Sequence, residues 1–557
     1  MKTCKQCTTQ FEITDADRVF YNKIDVPEPT WCPECRNMRR LAWRNERTFY
    51  NRPCDLCGKS GISINAPQWG YTVYCISCWW SDQWSPLEYG TDFDFSRSFF
   101  EQFHELTKKV PRITVVQNAA ENSEYSNEVN DVKNTYMAVC SFFGERLFYT
   151  YWLGLSKDCV DTSYILESEL CYESHDIFKC YHSKYIYNCE NLIDCAFCFN
   201  CSNCQNCFNC FNLKNKSYCI NNKQLTKEKY FEELKKIDFS SFETVEKKKK
   251  EFWQESLNYP RKFAFIKNTE DCTGDYVRNS KNVSYGFDIF GQENGKYLFD
   301  AGAAKDSMDC TQAGIDSELM YEVHGCGRIY NTHFANWSYY NSDCEYVESC
   351  HNSNNLFACV GMRKSAYCIF NKQYSKEEYV VLRDKIIAHM KKTSEYGEFF
   401  PLGHSTYTYN ESVAQQWYPM SREQVLAKGW RQWQDAMPGI FGKETVAWPV
   451  AENSPDITKE ILACTECRKN YKIIKQELEF YKKMNVPLPR FCPDCRFYKR
   501  IALRNPRHLW HRQCMCGMAG HDNHHDGKLC NNTFETSYAP ERPEKVFCEG
   551  CYQAEIT

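Results

Sequence analysis

The 557-residue sequence predicts a mostly β protein with some α-helix, in which two narrow β-solenoid units lie between cysteine-rich terminal modules and are joined by helices. Three observations predict this class. Cysteine occupies every third position from Cys195 to Cys210. The segment SELCYE at 168–173 recurs as SELMYE at 317–322, an offset of 149 residues without a gap. The start of the chain recurs at its end, where WCPECR at 31–36 matches FCPDCR at 491–496.

Two CxxC pairs at each terminus are typical of a tetrahedral zinc site, because each pair supplies two thiolates through a tight turn. The binding energy of the ion can fold a segment that is too small for a core of its own. A redox CxxC is the alternative, but redox pairs normally occur singly within a βαβ unit. The predicted ligands of these two outer sites are Cys4, Cys7, Cys32 and Cys35 at the front and Cys464, Cys467, Cys492 and Cys495 at the back.

A second cysteine set follows each outer site, and we interpret it as an inner zinc site. The predicted ligands are Cys54, Cys57, Cys75 and Cys78 at the front and Cys514, Cys516, Cys548 and Cys551 at the back. The back set departs from CxxC spacing. The nearby candidates for joining this site are His521, His524, His525 and Cys530, and the alternative for the histidines is a solvated His-rich loop. We expect about four structural zinc ions, each with a closed shell that leaves no position for a catalytic water.

Each outer site resembles the treble-clef "probable zinc-ribbon" family. The resemblance rests on the paired cysteines, on Phe-Tyr before a central loop (FYNKIDVPEP at 20–29 and FYKKMNVPLP at 480–489), and on a CPxCR motif that leads into a basic helix. It covers about 45 residues at each end and implies a zinc fold without an activity. The complete chain is also similar to a family of large bacterial proteins with the same layout, a resemblance that implies no particular function.

Each CPxCR motif continues into a predicted helix with arginines near one face. These arginines are Arg36, Arg40, Arg44 and Arg47 at the front and Arg496, Arg500, Arg504 and Arg507 at the back. Guanidinium groups contact phosphates as forked donors, so we predict nucleic-acid contacts at these residues. The alternative is a solvated or structural face that pairs with carboxylates. Residues 462–514 contain thirteen Lys/Arg and four Asp/Glu, against eleven and eight in residues 1–60, so the back module should bind more strongly.

The three-residue register predicts a tightly wound coil. Eleven cysteines between Cys159 and Cys219 fall in this register, and asparagine occupies the position before it in every triplet from Asn200 to Asn215. Asparagine tolerates the left-handed backbone conformation, so we expect Asn at the corners and Cys pointing into a narrow bore. Equivalent positions of the second unit contain Met, Val, Ser, Leu and Ala, which favours packing. Metal or cluster binding and disulfide ladders are the alternatives.

Aromatic residues flank this register in the first unit, and they predict either a core beneath the helices or a surface that stacks bases or docks a protein. They are Tyr181, Tyr185, Tyr187, Phe197, Phe199, Phe208 and Phe211. A helix is predicted after each unit, with Thr226 and Ser375 as N-caps, and a further short helix is predicted to begin near Ser421.

These patterns divide the chain into six segments. They are an N-terminal double zinc module (1–85), a first solenoid unit (86–225), a helical connector (226–265), a second solenoid unit (266–374), a helix with an aromatic linker (375–460) and a C-terminal double zinc module (461–557).

We predict a non-catalytic zinc-binding scaffold that binds nucleic acid, RNA or the ribosome before DNA, through the arginine helices. The second hypothesis is a protein-interaction scaffold whose zinc modules cap the solenoids, because solenoid ends must be closed against edge pairing. The third is a thiol-rich metal or redox enzyme, although no GxGxxG, P-loop, GxSxG or HExxH motif occurs. No signal peptide or membrane span is predicted, so we expect a cytoplasmic protein whose thiols are reduced.

Overall fold

The computed structural model describes residues 1–430, 433–435, 440–449, 456–517 and 529–556. Its two large sheets each contain eleven strands, and nearly all neighbouring strands within each sheet are parallel. These ranges therefore form a mostly β protein with solenoids and cysteine-rich ends, which confirms the predicted fold class. None of the helices in these ranges is both long and apolar enough to cross a membrane.

Short strands and helices precede the first solenoid. The strands are β1 (Lys2–Thr3), β2 (Gln10–Phe11), β3 (Tyr50–Pro53), β4 (Ser60–Ser63), β5 (Val73–Tyr74) and β6 (Arg112–Ile113). The helices are α1 (Asp15–Lys23), α2 (Pro33–Leu41), α3 (Ile76–Trp79) and α4 (Phe99–Lys109).

The two solenoids are built from short strands joined by tight corners. The first contains β7 (Gln117–Glu121), β8 (Asn127–Lys133), β9 (Val139–Phe148), β10 (Tyr151–Gly154), β11 (Lys157–Leu166), β12 (Glu169–Phe178), β13 (Tyr181–Glu190), β14 (Ala196–Phe199), β15 (Gln205–Phe211), β16 (Ser217–Ile220) and β17 (Lys223–Gln224). After α5 (Lys227–Leu234), α6 (Phe242–Ser256) and β18 (Arg261–Lys262), the second contains β19 (Ile266–Lys267), β20 (Glu270–Arg278), β21 (Lys281–Phe290), β22 (Glu293–Phe299), β23 (Gly302–Thr311), β24 (Gly314–His324), β25 (Tyr330–Asn336), β26 (Ser342–Glu348), β27 (Asn354–Val360), β28 (Ala366–Ile369) and β29 (Lys372–Gln373).

Helices and a second cysteine-rich module follow. The elements are α7 (Lys376–Lys392), α8 (Val413–Trp417), α9 (Arg422–Ala427), β30 (Leu462–Ala463), β31 (Asn470–Tyr471), α10 (Lys475–Met484), α11 (Pro493–Ile501), β32 (Trp510–Gln513), β33 (Thr533–Thr536), β34 (Val546–Phe547) and α12 (Glu549–Ile556). The predicted N-caps Thr226, Ser375 and Ser421 each accept a hydrogen bond from the backbone N–H three residues later, which fixes the starts of α5, α7 and α9.

One turn of the first solenoid takes 12 residues. Parallel partners lie 12 residues apart, as in the pairs Cys198–Cys210 and Cys207–Cys219. Because the inward-facing side chains recur every third residue, each turn presents four of them to the bore, one for each triplet. The period of three in the sequence is therefore a subdivision of a longer structural repeat.

The corners of the coil have the predicted left-handed conformation. The backbone φ angle is 54° at Asn200, 53° at Asn203 and 52° at Asn206. Asparagine side chains also connect successive turns, because Asn191 Nδ2 donates to Asn203 Oδ1 at 2.9 Å and Asn203 Nδ2 donates to Asn215 Oδ1 at 3.1 Å. The prediction of Asn at the corners is confirmed.

Cysteine side chains fill the bore of the first solenoid. The Sγ atoms donate to backbone carbonyls of their own turn and the next, and Cys198 Sγ lies 3.7 Å from the oxygens of both Ala196 and Cys207. Burial raises the pKa of Cys180 to about 12, so this thiol keeps its proton. All cysteines are free of disulfides, and no bore cysteine in the described ranges belongs to a cluster with metal-ligand spacing. This geometry supports the packing interpretation.

The second solenoid contains one extra residue near Gly314, where the register between β23 and β24 shifts. A Cβ atom at Gly314 would lie 1.8 Å from the carbonyl oxygen of Gly302, and its φ is 137°, so only glycine fits. Before this bulge the two units align at an offset of 148 residues instead of 149. Cys310 therefore lies in the bore, whereas Met308, which a gapless offset of 149 would place there, packs outside it.

The aromatic residues of the first solenoid form a core beneath helices. Six of the seven predicted residues are at most 5% exposed, and the exception, Tyr181, is 45% exposed. Phe252 of α6 packs against Tyr187 and Phe197 with ring centroids 5.9 and 5.8 Å apart. Except at Tyr181, these rings have no free face for a base or a partner protein.

Each terminal module also contributes a strand at the starting end of a solenoid. Strand β5 pairs in parallel with β6, with Val73 opposite Arg112, immediately before the first solenoid. Strand β34 pairs in parallel with β18, with Val546 opposite Arg261, immediately before the second. The terminal modules therefore cover the starting end of each solenoid, where an unpaired sheet edge would otherwise be exposed.

Candidate metal centres and the arginine interface

The front outer site brings four cysteines together around one point. The Sγ atoms of Cys4, Cys7, Cys32 and Cys35 all lie within 4.8 Å of one another. Thr8 N–H donates to the carbonyl oxygen of Cys4 at 3.0 Å, which closes the tight turn of the first pair. Cys32 N–H donates to Cys4 Sγ at 3.1 Å, and α2 begins directly after this residue. Amide donors aimed at sulfur suit a thiolate and hence a bound cation.

The back outer site repeats this geometry. Cys464, Cys467, Cys492 and Cys495 form the second group with the same spacing. The Sγ atoms of Cys467 and Cys492 are 3.6 Å apart, the same distance as between those of Cys7 and Cys32. Arg468 N–H closes the turn by donating to Cys464 O at 3.0 Å. Both predicted outer groups can therefore hold a metal ion.

The front inner site also forms as predicted. Its members are Cys54, Cys57, Cys75 and Cys78. Cys75 N–H donates to Cys54 Sγ at 3.1 Å, the bond that Cys32 and Cys4 make in the outer site. Helix α3 begins directly after Cys75, as α2 begins after Cys32. The two sites of the front module are thus built on one local pattern.

The back inner site differs from the prediction. The cysteines that lie within 4.8 Å of one another there are Cys514, Cys530, Cys548 and Cys551. Cys516 is buried in the same apolar cluster but is not a member of this group, so the structure places Cys530 in its stead. The candidate ligands His521, His524 and His525 lie outside the described residues.

A loop inserted into the metal-binding turn explains this difference. At the front, Cys54 N–H donates at 2.9 Å to the carbonyl oxygen of Lys59, which follows the second ligand by two residues. At the back, Cys514 N–H donates at 2.8 Å to the carbonyl oxygen of Asn532, which follows Cys530 by two residues. Cys530 is therefore the structural equivalent of the second ligand, and the chain between Cys514 and Cys530 replaces a two-residue turn.

A further buried group of potential ligands is already neutralised by an arginine. Glu46, Glu128 and Cys140 lie close enough together to hold a cation. Arg44 occupies that position, because its Nε donates to Glu46 at 2.8 Å and its Nη2 contacts both Glu128 and the Cys140 sulfur. We therefore interpret this group as an ion-pair network instead of a metal site.

The eight arginines that were predicted to contact nucleic acid lie inside the molecule. Seven are at most 8% exposed, and the side chain of Arg47 is 13% exposed. Each makes an ion pair with a carboxylate. Because a guanidinium in this position has no surface to offer a phosphate, the prediction for Arg36, Arg40, Arg44, Arg47, Arg496, Arg500, Arg504 and Arg507 is wrong. The alternative, a structural face paired with carboxylates, is what the structure contains.

The two arginine helices bind the solenoids in a crossed arrangement. The front helix α2 packs on β23 and β24 of the second solenoid, where Arg40 Nε donates to Thr311 Oγ1 at 3.3 Å. The back helix α11 packs on β11 and β12 of the first solenoid, where Arg500 Nε donates to Ser163 Oγ at 3.3 Å. The two interfaces are therefore copies of one another, like the segments that form them.

A buried carboxylate lies at the centre of each interface. Asp161 accepts from Arg500 Nη1 at 3.0 Å and also from Arg496. Glu322 accepts from Arg40 Nη1 at 2.7 Å and from Arg39 Nη2 at 2.9 Å. Each of these two carboxylates bonds two guanidinium groups. A second buried carboxylate shares each site, namely Glu477 beside Arg496 at the back and Asp309 beside Arg36 at the front, which makes burial of the charges tolerable.

Arg504 and Arg507 join the two solenoids to each other. Arg504 Nη2 donates at 2.9 Å to Asp176 on β12 and also contacts Asp288 on β21. Arg507 Nη2 donates to the same Asp288 at 2.9 Å and to Asp300 at 2.5 Å. The C-terminal module therefore lies between the solenoids, with ion pairs to both.

The carboxylate partners were missed in the sequence because each has other acidic residues nearby from which no local pattern distinguishes it. One signal was present. Asp161 in DCVDTSY and Asp309 in DSMDCTQ occupy equivalent positions, since they are 148 residues apart and precede the bulge. An acidic residue repeated at the left-handed corner of two buried turns indicates a partner from outside the coil.

Comparisons with known proteins do not assign a family. No family model matches the chain, and no curated protein matches it either. Among solved structures, one named "putative acetyltransferase" from Desulfovibrio desulfuricans is similar over 48% of this chain and 69% of that chain, with 12% identity and a TM-score of 0.11. A likeness at this TM-score carries no argument about fold or function.

Proposed function

We propose that this protein is a non-catalytic scaffold in which four zinc ions hold two crossed modules onto a duplicated solenoid. The observation that carries the proposal is that Arg36 and Arg40 of α2 and Arg496 and Arg500 of α11 clamp these helices to the solenoids. Their guanidinium groups are directed at solenoid carboxylates, and the cysteine groups at the starts of α2 and α11 fix the helix that carries them. The metal sites would then stabilise the modules that hold the solenoids together, and the solenoids would provide the surface that partners contact.

Zinc is the ion that these ligand sets fit best. Four thiolates in a tetrahedral arrangement select zinc or iron, and paired CxxC turns around a small core are typical of structural zinc. The ligands would be Cys4, Cys7, Cys32 and Cys35, then Cys54, Cys57, Cys75 and Cys78, then Cys464, Cys467, Cys492 and Cys495, and finally Cys514, Cys530, Cys548 and Cys551. Zinc supplies binding energy there, and the closed shell offers no position for a substrate.

The exposed surface also favours binding over catalysis. A groove of about 680 Å³ lies on the second solenoid, and both of its cations are paired with acidic side chains. Lys305 Nζ is 3.4 Å from Glu293, and Arg328 Nε is 3.6 Å from Asp316. Charged groups paired on an exposed surface differ from the enclosed, largely apolar pockets that bind small molecules. We expect a macromolecular partner in place of a small substrate.

Metal analysis of the intact protein tests this proposal. We expect about four zinc ions per chain, and removal by a chelator should lower the thermal midpoint, because the modules lose the energy that folds them. The variant Cys32→Ser should lose one zinc. The matched control Cys204→Ser, in the bore, should retain all four, since serine already occupies the equivalent position Ser353. Iron in the sites, two or fewer zinc ions, or zinc loss from Cys204→Ser would contradict the proposal.

A further inference from the structure

Helix α10 has an exposed basic face that occurs in only one of the two modules. The exposed lysines of this face are Lys472, just before the helix, and Lys475, Lys482 and Lys483 within it. Residues 475, 482 and 483 lie within about 100° of one another at 3.6 residues per turn. The opposite face, with Phe480 and Tyr481, is buried against the first solenoid.

These lysines differ from Lys469 and Lys499 of the same module, which pair with carboxylates. Within the described ranges, none of the four makes an ion pair or a side-chain hydrogen bond, whereas Lys469 pairs with Asp494 at 3.2 Å and Lys499 pairs with Glu466 at 2.7 Å. The acidic residue on the same face is Glu479. The face therefore has a net charge of +3, four lysines less one glutamate.

The N-terminal module provides the internal comparison. Its residues equivalent to the four lysines, 460 positions earlier, are Glu12, Asp15, Asn22 and Lys23. Lys23 is paired with Asp306 at 2.8 Å, and Val19 stands in place of Glu479. The front face thus has a net charge of −1, one lysine less two acids. The two modules share the same type of metal site and the same type of clamp, but the charge of this helix face has opposite sign in the two. This difference indicates that the basic face of α10 has a role beyond folding.

We propose that the basic face of α10 (Lys472, Lys475, Lys482 and Lys483) binds the phosphate backbone of a nucleic acid. Lysine ammonium groups bind phosphates as point charges, and Lys475 and Lys482 are separated by about 10 Å along the helix axis, a span that one strand covers with two or three phosphates. Protein partners, in contrast, dock on central apolar anchors, and in the described ranges no large hydrophobic side chain of α10 is exposed. The inference rests on the proposed function, because it names the partner of the scaffold.

The face is also held rigidly, as a binding surface requires. Lys184 of the first solenoid donates to the carbonyl oxygens of Met484 and Asn485 at 2.9 and 3.2 Å, which satisfies the C-terminal end of α10. At the N-terminal end, Glu477 accepts from the backbone N–H of Ile474. A helix fixed at both ends pays little conformational entropy on binding.

The test is fluorescence anisotropy with the full-length zinc-loaded protein and a labelled 20-nucleotide single-stranded RNA over a range of salt concentrations. Replacement of Lys472, Lys475, Lys482 and Lys483 by Gln should weaken binding at least about tenfold at low salt and reduce the slope of log K against log salt by about 3, because each lost phosphate contact removes about 0.7. A matched control replaces four unpaired exposed lysines of the front half, namely Lys5, Lys59, Lys108 and Lys109, by Gln.

The control should leave affinity and slope close to those of the unmodified protein. Equal weakening by both variants would mean that only overall charge matters, and would overturn the inference. So would an unmodified protein that does not bind RNA in 50 mM salt, or one that binds a polyglutamate peptide in preference to RNA. Zinc content and the thermal midpoint, measured on each sample, report on the proposed scaffold separately and should not change in either variant.

Discussion

Asp161 shows how a single carboxylate supports a whole interface. It is 1% exposed and accepts from two arginines that are more than 330 positions away in the chain. Charges in a buried site of this kind are stable only while each keeps its hydrogen bonds and ion pairs. Loss of the carboxylate would leave Arg496 with Glu477 at 3.5 Å and Arg500 with no carboxylate partner among the described residues. Removal of one charged member of such a site therefore destabilises the folded protein by more than the complete site stabilises it.

We therefore expect Asp161→Asn to destabilise the protein by about 3–5 kcal/mol, the range for a buried ion pair that loses one member. The matched control is Asp158→Asn, three residues earlier, whose partner Arg146 is 36% exposed. That pair is near the surface and should contribute at most about 1 kcal/mol. Urea unfolding of both variants measures the difference. Equal midpoints for the two variants would contradict the clamp at Asp161.

The aspartate beneath the back inner module gives a dependence on pH. Burial raises the pKa of Asp275 to about 6, although the hydroxyl of Ser537 and the backbone N–H of Phe265 donate to it. Between pH 4 and 6 the folded state then binds more protons at this residue than the unfolded state does, so stability falls as pH rises through this window. Asp275→Asn should remove this fall. The stability of the variant relative to the unmodified protein, measured in urea at pH 5, 6 and 7, should rise with pH.

At the scale of elements, the back inner site shows that a metal-binding turn tolerates a long insertion. The hairpin of β32 and β33 holds the ends of the insertion together, with Gln513 opposite Thr533. Cys514 and Cys530 are the residues that border the inserted loop, and both are buried. Strand pairing on either side of the insertion therefore brings the two ligands together.

This arrangement distinguishes two neighbouring cysteines. Cys530→Ser should lower the zinc content by one ion, because it removes one of four ligands. Cys516→Ser should retain the ion, since its sulfur lies outside the group. Zinc analysis of the two purified variants decides between them. A zinc loss from Cys516→Ser with none from Cys530→Ser would restore the ligand set that the spacing of the sequence suggested.

At the scale of the whole molecule, the modules and solenoids form a closed, interlocked arrangement. Strand β5 of the front module pairs with β6 just before the first solenoid. Helix α2 of the same module packs on the second solenoid. Strand β34 of the back module pairs with β18 just before the second solenoid. Helix α11 of the same module packs on the first solenoid. Each half of the chain therefore makes the same contact with the other half. Two subunits of a symmetric dimer contact each other in this reciprocal way, but here both halves belong to one polypeptide.

Loss of one metal should therefore be felt in the distant half of the sequence. Replacement of Cys4 and Cys7 by Ser should reduce protection from hydrogen exchange in β23 and β24, because α2 loses its anchor there. The matched variant, with Cys464 and Cys467 replaced by Ser, should instead expose β11 and β12. Hydrogen-exchange mass spectrometry reads both regions in one experiment. Deprotection confined to the strands next to each module in the sequence would argue against the crossed arrangement.

Local and periodic features could be predicted from the amino-acid sequence. The CxxC pairs specified three of the four cysteine groups, because each pair needs only one tight turn to place two sulfur atoms. The Asn-Cys register specified the coil, because the left-handed corner and the inward position repeat within every triplet. For the seven aromatic residues from Tyr181 to Phe211 of the first solenoid, the sequence left a core and an exposed surface open, and the structure buries all of them except Tyr181.

Features that depend on residues far apart in the chain could be read only from the three-dimensional structure. The arginine faces had the same pattern whether they met phosphates or carboxylates, and burial against Asp161 and Glu322 settled which. The place of Cys530 depended on strand pairing across an insertion, and the shift at Gly314 depended on the approach of two backbones. A sequence pattern fixes which groups a segment presents, whereas the partner of each group is set by long-range contacts that the pattern does not contain.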